Sequence, residues 1–218
     1  MNNTGERLKM IRGIFAAIVV SSMAITAVLM WTLDSWVTGT LIAQVPDVSP
    51  VYAETMPDSA ASAKAFLAAY PVFMNPRCVN CHPLGDAPLQ GNEGRPHDML
   101  VKRGPSGMGK NPMQCGSCHQ TKNLPGLHMP PGAPGWELPP EDTPMVFEKK
   151  TAHDLCVQMR DPAKNGNRNP MEIVEHLNTP IVLWGWSPGE GRDPVPMAHT
   201  TFVKYMTEWA SKGASCPD

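Results

Sequence analysis

Hydrophobic positions are patterned differently in three stretches of the chain. From Ile14 to Leu33 the run carries no charge; Arg7, Lys9 and Arg12 precede it, Trp31 closes it and Trp36 lies just beyond. As a helix this run spans roughly 30 Å, enough to cross the hydrocarbon core of a bilayer. The basic flank predicts a cytoplasmic amino terminus, with everything after Asp34 outside and the tryptophans as an interfacial anchor. The competing expectation is a cleaved signal peptide, with its small-residue site at Val51-Tyr52-Ala53. That site lies far past the apolar run for a normal leader, which favours the anchor.

Residues 34–58 read as an interfacial segment and tether, mildly amphipathic at first and then broken by Pro46, Pro50 and Pro57. Asp58 is suited to cap a helix from Ser59 to Tyr70, stopped by Pro71. Thr151 caps a second helix, Ala152 to Arg160. Asn169-Pro170 is an N-cap and N1 pair for a third, running to Leu177. A last helix runs from His199 to Lys212, with Gly213 at its end and Phe202, Met206 and Trp209 on one core face. The stretch from Pro83 to Asn111 is rich in Gly and Pro, and no strand pattern stands out. The expected fold class is mostly α and loop-rich: an N-terminal transmembrane helix (1–33), a tether (34–58), then one domain over 59–218.

Composition sharpens that expectation. The chain holds 24 Pro and 18 Gly, but only 5 Phe and 3 Tyr. So thin a core would gain from a large apolar cofactor at its centre. The net charge of −2 gives no basic footprint, so nucleic acid is excluded as a partner.

The chemistry lies in two copies of one motif, Cys78-Val79-Asn80-Cys81-His82 and Cys115-Gly116-Ser117-Cys118-His119. Two thiols on one helical turn can add across the two vinyl groups of a haem. The next residue then sits under the ring as an iron ligand. A zinc ribbon would bring its cysteine pairs to within roughly 15–20 residues of each other and would not need a histidine after both. The expected cofactors are therefore two haem c groups (Fe), with His82 and His119 proximal, which makes 59–218 a dihaem cytochrome c domain.

Candidate distal ligands are His97, in a segment started by Pro96 that is suited to a short helix, and His176 and His199. His128 and Met129 compete with them, and His153 reads as exposed. Cys156 and Cys216 remain as an even pair, expected to form a disulfide in an oxidising compartment. Trp184-Gly185-Trp186 is expected to pack against a haem or the core.

On these motifs the chain resembles the dihaem c-type cytochromes of exported bacterial redox systems. Its CxxCH, lone His, CxxCH order is similar to the small dihaem subunit of periplasmic nitrate reductase. That family has a further distal histidine upstream of its first motif; this sequence has no histidine before His82, so its second distal ligand must come from downstream. The tail (Trp184-Gly185-Trp186, Pro188-Gly189 and Gly213 to Pro217) resembles bacterial proteins labelled isoquinoline oxidoreductase subunits. The resemblance implies electron transfer at the periplasmic side of the inner membrane, with redox proteins or a membrane complex as partners. A dihaem enzyme (quinol dehydrogenase or peroxidase) and a fixed haem subunit of a larger complex are the alternatives.

Overall fold

Why helix α1, Ser59–Phe73, begins where it does is visible at its cap: the Asp58 carboxylate accepts from the Ala61 N–H at 3.0 Å. The computed structural model describes residues 58–218. The expected membrane helix, the cleavage site and most of the tether lie outside the described residues.

α1 runs through Pro71 rather than stopping at Tyr70. A proline inside a helix costs about 3 kcal/mol. Continuing one turn buries Val72 and Phe73, which are 2% and 3% exposed, and each such side chain contributes roughly 1.5–3 kcal/mol. The burial outweighs the lost hydrogen bond.

After α1 come α2 (Pro76–Val79), α3 (Ala152–Arg160), α4 (Pro162–Asn165), α5 (Pro170–His176), α6 (Pro180–Leu183) and α7 (His199–Ser211). Thr151 accepts from the Asp154 N–H, and Asn169 with Glu172 forms a reciprocal capping box. α1 packs on α7, where Phe66 meets Trp209 at 5.5 Å and Phe73 meets Phe202 edge-on at 5.1 Å, between ring centroids. The buried Ser62 hydroxyl donates to the Trp209 carbonyl at 2.8 Å and accepts from the Ser215 N–H at 2.9 Å. Cys156 on α3 is bonded to Cys216, which closes the carboxy-terminal end over a separation of 60 residues.

The fold-class expectation needs correction: the described domain is mixed rather than mostly α. Among the described residues no helix is long and apolar enough to cross a membrane, and the expected span lies outside them. Between α2 and α3 the chain is largely irregular, with two small antiparallel ladders: β1 (Leu89–Gln90) on β2 (Arg95–Pro96), and β3 (Gly109–Lys110) on β4 (Met113–Gln114). The short helix expected from Pro96 is absent. Arg95 and Pro96 pair with β1 instead, and the His97 N–H donates to the Pro88 carbonyl at 3.1 Å.

Glycine and proline make this region a poor helix former, so its carbonyls need other partners. Arg103, 2% exposed, donates to the carbonyls of Gly85, Pro139 and Pro144. One guanidinium thus ties three loop segments together.

Candidate functional site

Two cavities, of about 450 and about 660 Å³, lie against the two CxxCH motifs. Both fall in the range of roughly 300–1,000 Å³ typical of cofactor and ligand sites. α2 presents Cys78, and the turn after it presents Cys81 and His82, to the first cavity. A 3-10 turn, Cys115–Ser117, opens the second motif, and Cys115, Cys118 and His119 line the second cavity. None of these four cysteines is in a disulfide, while Cys156 and Cys216 are.

The two motif histidines are held alike. His82 Nδ1 lies 2.7 Å from the Met145 carbonyl, and His119 Nδ1 lies 2.7 Å from the Pro131 carbonyl. A carbonyl only accepts, so Nδ1 carries the proton in each ring and Nε2 keeps a bare lone pair. Each ring also stacks flat on an aromatic side chain. His82 lies on Phe147 at 3.8 Å and 9°, and His119 on Trp136 at 4.6 Å and 8°. Met145, whose carbonyl sets His82, holds a left-handed φ of 42°, a conformation that is costly without glycine and tends to persist where surrounding structure enforces it. The segment is pinned by Gln158, which donates to the Val146 carbonyl at 2.7 Å.

Burial sets the charge state of these groups. It lowers the His82 pKa to about 4 and raises the thiols of Cys78 and Cys81 to about 12 and about 11. It also lowers the pKa values of His119, His97 and His176. The imidazoles therefore favour the neutral form that can donate a lone pair.

Of the other expected ligands, His176 lines the first cavity, and His97 and His128 line the second. His97 and His119 have ring centroids 6.2 Å apart. The Met99 N–H reaches His97 Nδ1 at 3.4 Å, a long contact that a proton on Nδ1 would break. His199 borders neither cavity; its Nε2 donates to the Leu177 carbonyl at 2.9 Å, and its ring meets Trp186 edge-on. His153 bonds to the Pro217 carbonyl, and Met129 is exposed. Trp184 of the Trp184-Gly185-Trp186 segment stands in both cavity walls, with Arg77, Cys81 and Leu138.

The carbonyls of Met145 and Pro131 and the rings of Phe147 and Trp136 were not legible in the sequence. Backbone acceptors leave no side-chain signature, and Gly135-Trp136 matches no motif.

The cofactor expectation is corrected on its metal. Among the described residues no group of three or more His, Cys, Asp or Glu side chains is placed to hold a metal ion. The expected set of His82, His119, His97, His176 and His199 does not converge. It is divided between two cavities and, for His199, a backbone contact. With one motif imidazole per cavity and thiols held neutral by burial, the polypeptide by itself builds no iron site. Comparison with family models, with curated proteins and with solved structures finds no match to this chain.

Proposed function

We propose that residues 59–218 transfer electrons between a membrane or periplasmic donor and an acceptor complex, through two covalently attached groups of the c-type haem kind. The observation that carries this reading is the matched setting of His82 and His119, each with Nδ1 on a carbonyl, Nε2 free and an aromatic ring beneath it. Such outer contacts orient an imidazole and raise its basicity as an axial ligand. When bound, such a group would supply the one-electron centre, and the chain would add the tethers and the motif imidazoles.

Cys78 and Cys81, and Cys115 and Cys118, are the tethers. Phe73, Leu138, Phe147, Ile173 and Phe202 give the first cavity a largely apolar wall, which would raise the potential of a group held there. His176 in the first cavity and His97 in the second would be the candidates for a second ligand to each group. A group so held would favour a carrier over a peroxidase, which needs an open position. The shared wall favours exchange between the two groups, because Cys81 tethers one and borders the other. The uncharged run 14–33 with its basic flank supports attachment to a bacterial inner membrane, with this domain on the periplasmic side.

Mass analysis of the purified, denatured chain tests the reading. Two groups should remain bound through thioethers, and Cys115→Ala should weaken attachment of one. A chain that releases its colour entirely on acid extraction, or binds none when matured in a competent host, would sink the proposal.

A further inference from the structure

Arg77 is a buried cation to which no carboxylate is bound among the described residues. It lies in α2 between the capping Asn75 and the thiol of Cys78, 5% exposed. One terminal nitrogen donates to the Gly91 carbonyl at 2.8 Å and to the Asn92 side-chain oxygen at 2.9 Å. Its Nε is buried and has no partner. The guanidinium sits over Trp184, 5.7 Å from the ring centroid, in the wall common to the two cavities.

Arg192 borders the second cavity as well. Its partners are the carbonyls of Met129, Pro188 and Glu190. Neither arginine is in an ion pair among the described residues; the nearest help is Asp193, held at one remove by the Asn92 amide. Two guanidiniums, one of them buried, repel each other across this wall. A buried charge without a counter-charge is costly, and an unsatisfied buried donor adds to that. A guanidinium fork matches a carboxylate in shape and in hydrogen-bond direction.

We infer that Arg77 and Arg192 form an anion-recognition site of the second cavity, and that it takes the carboxylate groups on the edge of the prosthetic group tethered at Cys115 and Cys118. This rests on the function proposed above and adds to it how the group is oriented in its cavity and how its potential is set. With Arg77 as the anchor, the carboxylate edge would face the wall shared with the first cavity. A fixed positive charge beside the group favours its reduced, more negative state.

Redox titration of the full-length loaded protein tests this, in Arg77→Gln, Arg77→Lys and Arg192→Gln. Arg77→Gln and Arg192→Gln should keep two covalently attached groups, while the midpoint potential of the group at His119 falls. Arg77→Lys should recover part of that fall. Carboxylate-sensitive vibrational bands should shift in the same two variants. Unchanged potentials and bands, with both groups attached, would show that the arginines only brace the Gly91–Asn92 loop, and would overturn the inference alone. If Arg77→Gln does not fold, the half-buried Arg192 decides by the same readout. A wild-type chain with no attached group would overturn the functional proposal, and this inference with it.

Discussion

His97 and His119 stand with ring centroids 6.2 Å apart and planes at 63° in the larger cavity. A group held by His119, as proposed above, would lie within reach of His97 in the same cavity. His97→Ala should turn one low-spin ferric signal high-spin while both covalent groups remain. Two unchanged low-spin signals would exclude His97 and point to His128, which borders the same cavity.

A pH dependence follows from His82. Its folded pKa is lowered to about 4, against 6.5 for the free side chain. Between these values the unfolded chain binds more protons than the folded one, so stability is full above pH 6.5 and is lost as pH falls toward 4. The loss for a group this buried is on the order of 3 kcal/mol. Denaturant midpoints of chain lacking attached groups should fall across that window, and His82→Asn should flatten the curve. Protein carrying the proposed group on His82 Nε2 should hold its midpoint to lower pH, because the lone pair that the proton needs would then be occupied.

The helical frame was largely readable from local rules. Asp58, Thr151 and Asn169 cap helices where cap chemistry predicts, and Phe202, Met206 and Trp209 form the buried face of α7. Pro71 misled because tertiary burial of Val72 and Phe73 overrides a local breaker. The loops of 83–151 were less legible. Their order comes from long-range contacts such as Arg103 on three carbonyls, which no periodicity encodes. The motif residues announced themselves by spacing. His199 was a plausible ligand by residue type alone, and its carbonyl partner at Leu177 lies 22 positions away.

The disulfide gives a stability prediction. Cys156 and Cys216 join segments 60 residues apart, and closing such a loop stabilises by about 4 kcal/mol in the chain-entropy model. Cys156→Ser with Cys216→Ser should lower unfolding stability by about that amount in chemical denaturation. Adding reductant to the native chain should reproduce most of the loss, and a change under about 1 kcal/mol would show that the last turn is held by Ser62 and Trp209 instead.

Trp184 distinguishes coupled from independent sites. Its indole N–H donates to the Asn123 side-chain oxygen at 2.9 Å, its ring meets Trp136 edge-on at 5.0 Å, and its body stands in both cavity walls. Trp136 borders only the second cavity. Removing an indole from a wall admits water, and a wetter site stabilises the oxidised, more positive iron and so lowers the potential. Trp184→Ala should therefore lower both midpoint potentials, whereas Trp136→Ala should lower mainly that of the group at His119. Trp184→Phe keeps most of the apolar wall and should leave both nearly unchanged, which separates water entry from loss of the hydrogen bond to Asn123. Potentiometric titration with two resolvable waves reads all three variants. If Trp184→Ala shifts one wave only, the wall is not shared in the loaded protein, and electrons must pass between the groups by a route that does not include it.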